Sequence, residues 1–176
     1  MNAPDPEVVI VVDELDQVIG YKNRTELIPS DCWRMTAVWI RSAEDHNRVL
    51  IAKRAPHKDR QAGLWVAPVN GTVPRGEDYA QTIKREIHEE LGVADAELEL
   101  GPKQSFTNPS YDSRICQWFI WDIKEGDEKN FHIDTTEIAE LKWMDLTALD
   151  KDIKKHAENY AYYAKHFFDL FGHWQA

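Results

Sequence analysis

The sequence predicts an α/β domain in which helices cover a mixed β-sheet. Three observations carry that expectation. Short runs rich in β-branched and aromatic residues recur along the chain, among them VVIVVD at 8–13, MTAVWIRS at 35–42 and NRVLIAKR at 47–54. Residues 79–91 repeat apolar side chains at helical spacing. A second helical pattern occupies the tail, from about residue 151 to 171. Strands interleaved with two long helices stack as layers around one sheet.

In chain order, VVIVVD reads as a first strand and ELDQVIG as the turn back from it. The runs at 35–42 and 47–54 are separated by polar AEDH, which suggests a hairpin. APHKDRQAG is a polar, basic loop, and LWVAPV at 64–69 is a short apolar run broken by Asn70-Gly71 and then by Pro74 and Gly76. The helix from 79 to 91 opens with a capping-box pattern, Asp78 with Gln81 three residues on. Its buried stripe is Ala80, Ile83, Ile87 and Leu91, and Gly92 stops it. AELELG and RICQWFIWDI (114–123) are further strands, KEGDEKNFHIDTTE is an acidic loop, and LKWMDL is a short strand. The tail stripe is Ile153, Ala157, Tyr160, Ala164, Phe167, Phe168 and Phe171. It reads as a core-packing amphipathic helix, with a homodimer face or a substrate lid as the alternative uses.

Length and composition bound the function. A chain of 176 residues is about one domain, taken here as residues 1–176, and it can bury a sizeable core. Hydrophobic and charged shares of 43% and 30% suit a globular protein. No apolar run has the length of a membrane span, and the N-terminus has no basic region ahead of its short apolar run. Cys32 and Cys116 make neither a close-spaced metal motif nor a disulfide framework, so reduced thiols in the cytoplasm are expected. With 21 basic against 31 acidic residues the net charge is −10, which argues against nucleic-acid binding. A phosphate ligand would need a local basic cluster or a bridging metal.

The stretch GTVPRGEDYAQTIKREIHEELGV, 71–93, places Glu86, Glu89 and Glu90 within five positions. On a helix they share a face, opposite the apolar stripe, and like charges at that spacing cost a few tenths of a kcal/mol. A hard divalent cation reverses the sign, because Mg²⁺ and Mn²⁺ prefer oxygen ligands. A bare ExxEE string is more often a solvated acidic face, with Arg85 pairing Glu89. The flanking Gly71 and Glu77, with Pro74 and Gly76 between them, instead suggest a cation site built against a strand end.

These residues resemble the Nudix box. Gly71, Glu77, Arg85, Glu86, Ile87, Glu89, Glu90, Gly92 and Val93 fill its nine specified positions. EIAELKWMDL, with Glu137 and Trp143, is similar to the family's late strand. The resemblance implies an α/β/α sandwich with the box as a loop-helix-loop. It implies attack of water on a phosphoanhydride of a nucleoside diphosphate derivative or related organic diphosphate, with Mg²⁺ or Mn²⁺. By position, Glu86, Glu89 and Glu90 would be metal ligands with the Gly71 carbonyl, and Arg85 and Glu77 would orient the box. Such metals offset phosphate charge and acidify bound water, and a glutamate takes the proton. Glu89 is one candidate base; Glu125, Glu128 and Glu137, outside the box, are others.

The chain also resembles the isopentenyl-diphosphate isomerase branch, through VVDELDQVIGYKNRTEL and KRAPHKDRQAGLWVAPVNG. Arg54 and Lys58 fall on positions that hold the substrate diphosphate there. The isomerase chemistry does not carry over. Asn70 stands where that branch has its catalytic cysteine, Thr72 and Trp33 where it has ligand histidines, and Arg114 where it has a catalytic glutamate. Cys116 reads as a buried strand cysteine. A hydrolase is therefore expected, against two alternatives: an isomerase-type enzyme and a non-catalytic nucleotide-binding regulator. Trp65, Tyr111 and Trp118 are candidates for stacking on a base.

Overall fold

A computed structural model describes residues 8–108 and 112–172. Among these residues nine strands join one mixed sheet. β1 (Val8–Val12) and β2 (Val18–Asn23) form the expected turn-back hairpin. β3 (Cys32–Ser42) is the hub. Along one edge it pairs in parallel with β8 (Asp112–Ile123), from Cys32↔Ser113 to Ser42↔Ile123. Its other edge is shared by three antiparallel partners in succession. β1 takes Cys32 and Trp33, β6 (Val69–Thr72) takes Met35 to Val38, and β4 (Arg48–Arg54) takes Ile40 and Arg41.

The expected β3–β4 hairpin is thus only two pairs long. β4 splays away to pair with β9 (Ile138–Asp145) and with β5 (Trp65–Val66). The gap it leaves along β3 is filled by β6, which carries Asn70, Gly71 and Thr72 into the middle of the sheet. β7 (Glu99–Asn108) closes the far side against β8 and is longer than AELELG alone suggests.

α1 (Tyr79–Leu91) has the expected bounds. Asp78 accepts from the Gln81 amide at 2.8 Å, Gln81 accepts from the Asp78 amide at 2.9 Å, and Gly92 ends the helix at φ 72°. The buried side chains are Thr82, Ile83, Ile87 and Leu91. Ala80 is exposed, contrary to expectation. Thr82 is buried in its place, and its hydroxyl lies within hydrogen-bonding distance of both Glu77 and the Asp78 carbonyl.

The tail departs from the expected single helix. α2 (Leu146–Lys155) ends at His156, two 3-10 turns follow at Ala157–Asn159 and Tyr162–His166, and α3 (Phe167–Phe171) closes the segment. A continuous helix over 151–171 would be about 30 Å long and would carry its aromatic residues past the core. Bending lets Ala161 donate to the Trp65 carbonyl and brings Phe167 and Phe171 onto Trp39 and Trp118. Phe171 stacks on Trp39 with ring centroids 4.3 Å apart. The side chain of Phe168 lies outside the described residues. Since strand neighbours point to opposite faces, Trp39 faces this C-terminal layer while buried Val38 and Ile40 face the other. The result is the expected α/β/α sandwich. Among the described residues no helix is long and apolar enough to cross a membrane.

Candidate functional site

The turn between β6 and α1 brings the box residues together. Gly71 pairs with Thr36 inside the sheet, and Glu86 lies directly against it. A Cβ at position 71 would come within 2.5 Å of Glu86 Oε1, so any larger residue there would push the Glu86 side chain from its place. Pro74 and Gly76, the latter at φ 98°, turn the chain so that Glu77 faces back along α1.

Arg85 is the hub of this surface. Its Nε donates to Glu77 at 3.1 Å, its Nη2 lies 3.0 Å from Glu86 Oε1, and its Nη1 donates to Glu89 at 2.9 Å. Burial opposes the charge on Arg85, but Glu77, Glu86 and Glu89 outweigh it and push its pKa up. Glu77 is held from the other side by the Thr82 hydroxyl at 2.9 Å.

The three glutamates do not all enter the same space. Glu86 and Glu90 line a cavity of about 460 Å³, whereas Glu89 is not part of its wall and is 55% exposed. Successive helical residues are turned by about 100°, so Glu89 and Glu90 flank Glu86 on opposite sides and the cavity covers only one of those sides. Burial, then the neighbouring Glu86 and Glu137, pushes the Glu90 carboxyl up to about 9.

Glu137 enters the cavity from the loop before β9, and Arg54 and Lys58 from the end of β4 and the basic loop. Lys58 Nζ donates to Glu137 Oε1 at 2.6 Å, and Arg54 Nη1 lies 3.8 Å from Glu137 Oε2. Glu125 instead pairs with Arg48 at 3.1 Å on an exposed face. Glu128 accepts from the Gly126 amide at 2.6 Å. Neither lines the cavity, so of the three acids outside the box only Glu137 reaches it.

The isomerase-like positions also converge. Asn70, Thr72 and Arg114 line the cavity, and the Arg114 guanidinium lies 5.3 Å over the Trp33 ring. Cys116 is buried, as expected of a strand cysteine. Two of the stacking candidates, Trp65 and Trp118, do not line the cavity. Trp118 is 1% exposed, packed against Phe167 and Phe171, and the Lys53 and Lys142 ammonium groups lie 5.7 and 5.8 Å from the Trp65 ring centre. Tyr111 lies outside the described residues. Arg24, at the start of the 3-10 turn after β2, lines the cavity but was not singled out from sequence. A lone arginine in a polar turn has no local signature.

Among the described residues no three carboxylate, histidine or cysteine groups stand close enough to enclose one ion. Arg85 holds Glu86 and Glu89 to itself. The donors nevertheless fit a hard cation. Glu86 and Glu90 could supply carboxylate oxygens from adjacent turns, with the backbone of Gly71 beside Glu86, and the Glu90 carboxyl, raised by burial and then by Glu86 and Glu137, would be relieved by a cation.

Comparison with known proteins supplies the family. The family model for the NUDIX domain matches residues 33–167. A protein named isopentenyl-diphosphate Delta-isomerase 2 from Aromatoleum aromaticum is 26% identical, over 88% of this chain and 81% of its own length. An uncharacterised Nudix hydrolase from Yersinia pestis is 33% identical, over 78% of this chain and 72% of its own. A crystal structure of a Deinococcus radiodurans protein shares the fold, with a TM-score of 0.64 and 22% identity over 85% of this chain and 90% of that one. With the box and its cavity in place, the match over 33–167 settles the classification: the chain belongs to the Nudix hydrolase family.

Proposed function

We propose that this chain hydrolyses a phosphoanhydride bond in a nucleoside diphosphate derivative or related organic diphosphate, with Mg²⁺ or Mn²⁺, in the cytoplasm. One observation carries the reading. Glu86, Glu90 and Glu137 share a single cavity wall with Arg54 and Lys58. Carboxylates suit a hard cation and the basic pair suits phosphate oxygens, so the two sets together suit a metal-chelated diphosphate.

Glu86 and Glu90, with the Gly71 carbonyl, would hold the metal, and Glu89 joins them if Arg85 releases it. The bound metal would neutralise phosphate charge and lower the pKa of the attacking water. Arg54 and Lys58 bind the diphosphate. In doing so they leave Glu137, which they grip in the structure. Glu137 is then a carboxylate on the cavity wall able to take the water's proton, which favours it over the exposed Glu89. Arg85 and Glu77 keep the turn and helix in register throughout.

The test is phosphate or monophosphate release from a panel of nucleoside diphosphate derivatives and isopentenyl diphosphate, with Mg²⁺, with Mn²⁺ and with EDTA. Metal-dependent hydrolysis of at least one anhydride is expected. Similarity to the isomerases favours a second reading. Conversion of isopentenyl diphosphate to its allylic isomer without hydrolysis would replace the first, although Asn70 offers no thiol. Tight binding with no turnover of any kind would instead identify a regulator.

A further inference from the structure

The diphosphate reading uses only one side of the cavity. The cavity floor is β6 and the turn after it, from Asn70 through Gly71 and Thr72 to Pro74. Four residue steps of extended chain span roughly 13 Å. Along the edge of β3, β6 sits between β4 on one side and β1 on the other. Arg54 and Lys58 arrive from the β4 side. Arg24 and Arg114 arrive from the β1 side. Arg24 follows Asn23, which pairs with Val8, and Val8 accepts from the Arg75 amide next to Pro74. Arg114 is in register with Trp33, which pairs with Val11. The Arg114 side chain rests on apolar surface, over the Trp33 ring at 5.3 Å and with Nη1 3.6 Å from Met35 Sδ. That contact limits its rotamer freedom before any ligand arrives.

We propose that Arg24 and Arg114 form a second anion subsite, and that the substrate is a phosphoanhydride carrying a third phosphate group remote from the scissile diphosphate. The inference rests on the hydrolase reading and names its substrate class more closely. In a chain of net charge −10, a polyanion is admitted only where cations are concentrated. Two guanidinium groups from separate elements match the several oxygens of a phosphate better than a single cation would. No tryptophan, tyrosine or phenylalanine lines the cavity among the described residues, so recognition beyond the diphosphate falls to charge rather than to base stacking.

Two measurements test this. The first needs no turnover. Inorganic phosphate is titrated into the protein in EDTA and followed by phosphorus NMR. Two classes of site are expected. The Arg24→Gln/Arg114→Gln double variant loses one class, and Arg54→Gln/Lys58→Gln loses the other. A single class, removed only by the Arg54/Lys58 variant, overturns the subsite. The second compares NAD⁺ with NADP⁺, which differ by one phosphate remote from the diphosphate. The wild type should favour NADP⁺ by about tenfold or more in kcat/KM, which is about 1.4 kcal/mol. Arg114→Gln should bring the ratio towards one, and Arg114→Lys should restore most of it. Equal kcat/KM in the wild type, or a ratio that survives the double variant, overturns the proposal. Absence of all metal-dependent hydrolysis with two phosphate classes still present would bring down the hydrolase reading and leave the subsite standing.

Discussion

Two acid–cation clusters in this molecule use the same chemistry in opposite balance. Asp16, in the β1–β2 turn at φ 63°, accepts from Arg34 Nε and Lys103 Nζ, each at 2.7 Å, and from the Tyr79 hydroxyl at 3.0 Å. The Asp16 carbonyl accepts from Arg34 Nη2 as well. Burial works against the charge on Asp16, but Lys103, Arg34 and Tyr79 outweigh it and hold its carboxyl below the usual range. At the box the ratio is reversed. Arg85 is shared by Glu77, Glu86 and Glu89, while burial, Glu86 and Glu137 push Glu90 up. An acid supplied with donors joins a turn to its neighbouring elements. An acid crowded by other acids would be relieved by a cation.

The contrast makes its largest prediction at Glu90. Glu90→Gln should lower metal-dependent kcat/KM by roughly 10²- to 10³-fold, through loss of a charged ligand. The melting temperature of the metal-free protein should hold or rise, because the cost of keeping Glu90 protonated, set by burial and then by Glu86 and Glu137, goes with the carboxylate. Asp16→Asn should do the reverse. It leaves the partly buried Arg34 and the exposed Lys103 facing a weaker acceptor, so unfolding free energy should fall by about 1–3 kcal/mol in a denaturant titration. Turnover per folded molecule should persist. If Glu90→Gln unfolds the protein and Asp16→Asn abolishes turnover, the two clusters have been assigned the wrong way round.

Next in size is the basic pair. Arg54→Ala should raise KM for a diphosphate substrate by about 10- to 100-fold, the worth of one or two charge-assisted hydrogen bonds. It also removes one of the two cations beside Glu137. An unchanged KM and kcat would remove the diphosphate-contact role.

The clusters should also separate by pH. Asp16 has a folded pKa below its unfolded value of 3.8, so its stabilisation is complete above that pH and is lost as pH falls through the lower folded value. Glu90 has a folded pKa of about 9, above the ordinary 4.5. The native state therefore binds the extra proton between those values, and the metal-free protein should lose stability as pH rises from 5 to 9. Thermal melts in EDTA across that range should show the decline in wild type and a flatter profile in Glu90→Gln. A decline of equal size in both would reassign it to another group.

Legibility from sequence followed the same division. The helix 79–91 was readable because its cap, stripe and stop are local, and the Glu77–Arg85–Glu89 contacts follow from spacing on one helix and its leading turn. The bent tail was not. Its apolar spacing is helical, yet the bend is set by the distance to Trp39 and Trp118, two strands far away in sequence. Nor could spacing show that Glu86 and Glu90, but not Glu89, face the cavity, since that depends on where β6 and the loop before β9 lie. Arg24 reaches the site only through the pairing of β2 with β1. Contacts within one element were legible, and contacts fixed by strand order were not.

The smallest predicted effect discriminates among the candidate bases. Glu125 pairs with Arg48 at 3.1 and 3.2 Å, with both side chains about one-third exposed. Solvent screens such a pair and holding two long side chains together costs entropy, so it contributes at most about 1 kcal/mol. Its hydrogen bonds to Glu125 hold the Arg48 pKa above the ordinary value against the opposing effect of burial. Glu125→Gln should therefore shift the melting temperature by no more than a degree or two, about the size expected of a surface substitution, and should leave kcat and KM unchanged. Glu137→Gln, made in parallel, should lower kcat with a smaller effect on KM, because Glu137 stands on the cavity wall and Glu125 does not. A fall in kcat with Glu125→Gln and none with Glu137→Gln would mean that the acidic loop moves onto the cavity during turnover and supplies the base.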